Sequence, residues 1–178
     1  LAIAREQIRE RDLATAIHTL HELVELQDSP EAQLLLARAE SLNGNHAEAL
    51  AAITRSLRMT SGFGMEARRL EVRILHDSGD HEGVINKLAA IDRVVDLTAA
   101  EIQMLATARY ETRAVPLGRK LLIDLLESPL ATTEAALEFS RREGRNRLHQ
   151  ERIERYLKAA SLREPENVEV LAELVSFD

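Results

Sequence analysis

Residues 43–50 read NGNHAEAL, and residues 78–85 read SGDHEGVI. A polar residue and glycine followed closely by a lone histidine suits a hairpin turn, a metal site or a break between two helices. The interval between such stretches separates these readings. The small or branched residue after each turn recurs as Ala16, Ala49, Val84, Gly118 and Ile153, at spacings of 33, 35, 34 and 35. Four residues on, Leu20, Ile53, Leu88, Leu122 and Leu157 follow in step. Three beyond those come Leu23, Ser56, Ile91, Leu125 and Ala160. Each unit therefore carries one apolar stripe of helical period in its second half.

The first half of each unit pairs a large apolar residue with a small one: Ile3-Ala4, Leu36-Ala37, Leu105-Ala106, Phe139-Ser140 and, in a sixth unit, Leu174-Val175. The third unit reads Glu71-Val72 there, which predicts a helix out of phase or altered packing. Small residues at these places let adjacent helices approach to the ~8–10 Å of close packing. The 7 glycines and 4 prolines fall between the helical segments, and no segment shows the period-2 alternation of a strand. Gly44 is then a turn between paired helices. Asn45 is expected to cap the second helix, as Asp12 and Asp80 do in their own units.

A period near 34 built of two helices with these sites resembles the tetratricopeptide repeat. The fifth unit carries the family's closing pattern in YLKAASLREPEN, residues 156–167, through Leu157, Ala160 and Pro165. The chain departs from the family in having no tryptophan. It also has Ala4, Ala37, Val72, Ala106 and Ser140 where the family favours glycine, and one extra residue in the 144–148 turn. The resemblance spans the whole chain and implies an all-α, right-handed α-solenoid of antiparallel helix pairs, a superhelix. It predicts a single array with units near 1–29, 30–64, 65–98, 99–132 and 133–167, and a partial unit at 168–178. A helical solenoid of another kind is the structural alternative.

Composition narrows the function. With no cysteine, disulfide and thiolate chemistry are absent. Net charge is −7 and aromatics make up 3% of the chain, which argues against nucleic-acid binding by counterion release or base stacking. No apolar run approaches the ~20 residues of a membrane span. The chain opens on Leu1 inside a helical pattern, as a piece of a longer array would, so localisation is not readable.

Catalytic constellations are weak. His46 and His81 share a register with Leu13, Val115 and Leu148, so packing is the expected role. His18, His21 and Glu22 lie on one helix face without the spacing of a zinc-protease motif. No nucleophile elbow or phosphate loop is present, and no enzymatic activity, metal or cofactor is expected.

The more informative pattern is a column of arginines. Immediately after each first-helix small residue stand Arg5, Arg38, Arg73, Thr107 and Arg141. The resemblance implies that this place lines the concave groove, where planar guanidinium forks suit an acidic peptide or a terminal carboxylate. Glu31, Glu66 and Glu134 can alternatively neutralise the column as bridges between repeats, and the two roles can coexist. Leu1, Leu34, Arg69, His76, Gln103, Tyr110 and Leu137 are expected on the same inner face. Phe63, in MTSGFGME, is a candidate exposed aromatic, with tucking between the second and third repeats as the favoured alternative. The expected function is a scaffold or adaptor that binds a protein or peptide segment, acidic in character, through Arg5, Leu34, Arg38, Arg69, Arg73, His76, Tyr110 and Arg141. Self-association is left open. The arginine-over-lysine bias and the repeat suggest a longer bacterial protein, in a cell-envelope or exopolysaccharide export assembly. The alternative is a regulatory receptor that closes around a small peptide or metabolite beside Tyr110, His76 and Arg73.

Overall fold

A computed structural model describes residues 1–59, 64–92 and 96–176; Phe63 lies outside them. The described residues form eleven α-helices and one short 3-10 helix, with no strand among them. In order these are α1 (Ala2–Arg9), α2 (Leu13–Leu26), α3 (Pro30–Leu42), α4 (His46–Met59), α5 (Met65–Asp77) and α6 (His81–Asp92). They continue with α7 (Ala99–Glu111), α8 (Val115–Leu126), α9 (Thr133–Glu143), the 3-10 turn (Arg147–His149), α10 (Gln150–Arg163) and α11 (Val168–Val175). The chain forms two compact units, Leu1–Lys87 and Leu88–Asp178, divided within α6.

The turns repeat at the level of the backbone. Arg11, Gly44, Gly79 and Arg113 all adopt left-handed φ values, of 65°, 83°, 78° and 63°. Around Gly44, the amide of Asn45 donates to the Glu40 carbonyl at 2.9 Å and that of Gly44 to the Ser41 carbonyl at 3.1 Å. The pair of bonds is the Schellman helix ending, which satisfies carbonyls that the helix itself cannot. The same two bonds occur around Arg11, Gly79 and Arg113. Glycine takes this conformation without cost, whereas each arginine holds it against roughly 1–2 kcal/mol of strain.

Caps then start the next helix. Asp12 accepts from the Thr15 amide at 3.4 Å and Asp80 from the Gly83 amide at 2.9 Å. Asn45 differs from expectation: its side-chain amide donates to the buried Glu40 carboxylate at 2.7 Å instead of capping α4. Thr98 and Glu101 form a reciprocal capping box on α7.

The three columns build the cores. Ala16, Ala49, Val84 and Ile153 are fully buried, as are Leu20, Ile53, Leu88, Leu122 and Leu157. Burying each leucine or isoleucine stabilises by about 1.5–3 kcal/mol. In the first unit Leu20, Leu36, Ile53, Leu70 and Ile74 pack together, and in the second Leu122, Leu125, Phe139, Ile153 and Leu157 do. Gly118 is a close approach: a Cβ there would stand 2.8 Å from the Tyr110 ring and 2.9 Å from the Ala106 carbonyl oxygen.

Three expectations need correction. The third unit is in phase, because Val72 is fully buried and Glu71 keeps its place by accepting from Lys87 Nζ at 2.7 Å. In the fifth unit Leu148 does not pack, being 90% exposed. Leu148 stands five residues before Ile153, whereas Leu13, His46, His81 and Val115 stand three before their own small or branched residues, and His149 sets its ring edge-on to Phe139 at 5.9 Å instead. In the sixth unit Val175 is exposed while Val170 carries the burial. His46 and His81 are half-buried at the starts of α4 and α6.

Candidate partner-binding groove

In the first unit, α1, α3 and α5 are the first helices of their pairs. Because Arg5, Arg38 and Arg73 share one register, all three reach the same groove, about 780 Å3 in volume. Its apolar lining comes from Ile8, Leu34, Leu35, Leu42 and Leu70, and Arg9 and Arg11 add positive charge. Glu31, Glu66 and Asp77 are the acidic members, so arginines outnumber carboxylates in the lining.

The arginines differ in how they are held. Arg5 pairs with Glu31 of the next repeat, with both side chains more than half exposed. Such a pair contributes only about 0–1 kcal/mol. Arg38 has no ion-pair or hydrogen-bond partner among the described residues, and Arg73 makes one long bond, from Nε to the Arg69 carbonyl at 3.5 Å. Two guanidinium forks are therefore available above an apolar floor. Arg69 and His76 are half-buried on α5 and are not among the lining residues; His76 Nδ1 lies 3.3 Å from Asp77.

The second unit arranges its predicted residues otherwise. Arg141 pairs with Glu169 at 2.9 Å, the bridging alternative. Thr107 reaches Glu138 at 3.4 Å. Leu137 is buried, not presented on an inner face. Tyr110, expected on a partner-facing surface, is also buried, and its hydroxyl donates to Glu143 at 2.9 Å. Burial, followed by that hydrogen bond to a carboxylate, pushes its pKa well above the ordinary tyrosine range. Arg119 completes the arrangement with an ion pair to Glu143 at 2.9 Å, and His149 lies 3.8 Å from the same carboxylate.

Sequence reasoning did not find this cluster. Its signal is a glutamate at the register of buried Glu40, met by a tyrosine and an arginine from the preceding helix pair. Among the described residues no group of three or more histidine, aspartate or glutamate side chains could hold a metal. His18 faces Glu22 at 3.4 Å and His21 faces Glu40 at 3.5 Å, both at exposed edges of α2.

No protein-family model matches this chain, and no curated protein does. Among solved structures it is similar to the C-terminal part of a TPR repeat-containing protein from Cytophaga hutchinsonii. That likeness has a TM-score of 0.80 at 13% identity, over 99% of this chain and 69% of the other. The fold is thus the all-α solenoid of tetratricopeptide repeats. No described helix is long and apolar enough to cross a membrane.

Proposed function

We propose that this chain is a protein–protein recognition module and that its first-unit groove takes an acidic segment of a partner protein. The reading is carried by one observation: Arg5, Arg38 and Arg73 share a groove with Leu34 and Leu70, and Arg38 has no carboxylate of its own among the described residues. Leucines supply buried anchor sites, and guanidinium forks supply bidentate pairing with carboxylates. Glu31 at Arg5 makes that end less receptive than the Arg38–Arg73 end. Arg69 and His76 then act as supports of this surface, and Arg141 serves within the second unit as the partner of Glu169. The arginine-rich, lysine-poor composition supports placement in a bacterial multi-protein assembly.

The test is fluorescence anisotropy with a labelled acidic amphipathic peptide carrying two leucines. Binding is expected to weaken steeply between about 50 and 300 mM salt, because the pairing charges are exposed. The double substitution Arg38→Glu, Arg73→Glu is expected to abolish it with helicity retained. Unaltered binding by that variant would overturn the reading.

A further inference from the structure

The second unit holds a concentration of positive charge that the groove does not use. A shallow pocket of about 650 Å3 opens where α9 runs into the irregular turn, and four of the residues lining it are Arg119, Arg142, Arg145 and Arg147. This is unusual ground in a chain of net charge −7.

The four arginines fall into two kinds. Arg119 and Arg142 are braced. Arg119 Nε is 2.9 Å from Glu143, and Arg142 donates from Nε to Glu138 at 2.9 Å and from Nη1 to Glu111 at 2.7 Å. Arg142 also lies over the Tyr110 ring, 5.3 Å from its centre. These three carboxylates offset their charges, two hydrogen bonds hold the Arg142 plane, and Arg142 Nη2 and both terminal nitrogens of Arg119 have no acceptor among the described residues. Arg145 and Arg147, by contrast, are exposed on the turn without an ion-pair partner among the described residues. Glu143, the acidic member of the lining, is buried and engaged by Tyr110, Arg119 and His149.

Two unpaired guanidinium forks beside two ion-paired ones offer more N–H donors than two oxygens can engage, and four arginines against Glu143, Glu138 and Glu111 leave the pocket net positive, which matches an anion with three acceptor oxygens. A carboxylate supplies only two oxygens. A phosphoryl group carries ≈ −1.5 to −2 at neutral pH. We infer that this pocket is a binding site for a phosphate dianion, either free or as the phosphoryl group of a phosphorylated protein segment. The site is separate from the first-unit groove and stands or falls independently of it.

The experiment is a 15N NMR titration of the 178-residue chain at constant ionic strength, balanced with chloride. Three probes are used: inorganic phosphate, a phosphoserine peptide, and the same peptide unphosphorylated. Saturable shifts are expected at residues 142–149 with phosphate. They should be lost or weakened at least about tenfold in Arg145→Gln, Arg147→Gln, whose positions are exposed and leave the fold intact. Tighter binding of the phosphopeptide than of its unphosphorylated twin assigns the group to a protein partner. Equal peptide affinities with saturable phosphate binding assign it to the free anion. Failure of phosphate and phosphopeptide alike to saturate, or an undiminished response in the double variant, overturns the site.

Discussion

The two compact units use arginine in opposite ways. In the first, Arg5, Arg38 and Arg73 line an open groove, and Arg38 is left without a carboxylate among the described residues. In the second, the same register reads Thr107 and then an Arg141 already paired with Glu169. Arg119 and Arg142, from other registers, are tied to Glu143, Glu138 and Glu111. Glu40 and Glu143 extend the contrast, since both are buried at equivalent places. Glu40 accepts from its own turn through Asn45 and meets the preceding pair only through the exposed His21 at 3.5 Å, whereas Glu143 is engaged by both Tyr110 and Arg119 of the pair before it. A repeated residue therefore does not define a repeated role: what stands opposite it in the neighbouring repeat decides whether it binds outward or holds repeats together.

The contrast is most exposed to test at Glu143. Glu143→Ala strands the Tyr110 hydroxyl and an arginine, and is expected to cost about 3 kcal/mol in urea unfolding followed by circular dichroism. A loss below about 1 kcal/mol would show that the cluster is incidental. Next in size, Gly118→Ala forces a methyl against Tyr110 and the Ala106 carbonyl, and is expected to destabilise by about 1–3 kcal/mol in the same measurement.

The pH dependence sharpens the same point. The Tyr110 pKa is raised in the folded protein, so its contribution is fully present below the unfolded value of about 10 and is lost as pH climbs toward the folded value. The urea midpoint should fall between about pH 9 and 11, and fall less in Tyr110→Phe, although Tyr156, raised by burial and Glu127, adds its own share. Relief of backbone strain is a smaller effect: Arg113→Gly should stabilise by about 0.5–1 kcal/mol, measured by thermal melting. Smallest of all, Arg38→Ala is expected to shift stability by less than about 0.5 kcal/mol, because it removes no partner.

Much of the fold was legible because the core repeats as a column. Leu20, Ile53, Leu88, Leu122 and Leu157 must all be apolar at one interval, and a period of that length suits only stacked helix pairs. The shared placement of Arg5, Arg38 and Arg73 was legible for the same reason, since the three keep their register. Departures came where a local interaction overrode the register. Asn45 was read as a cap from its place before α4, but its side-chain amide is engaged as a donor to the buried Glu40 carboxylate. Leu148 was assigned a packing place although the longer turn sets it five residues before Ile153, and His149 packs on Phe139 instead. Tyr110 lost its expected exposure to Gly118, whose missing side chain lets the ring sink against α8, and to Glu143, 33 residues further along. Pairings of that range carry no local signature.

The central claim is that charge in the first-unit groove selects the partner. The most direct measurement is a charge exchange: anisotropy titrations of the wild-type chain and of Arg38→Glu, Arg73→Glu, each against an acidic amphipathic peptide and its glutamate-to-lysine twin. The account predicts that the wild type binds only the acidic peptide and that the variant reverses the preference, with melting temperatures alike. An unchanged preference in the variant would contradict it.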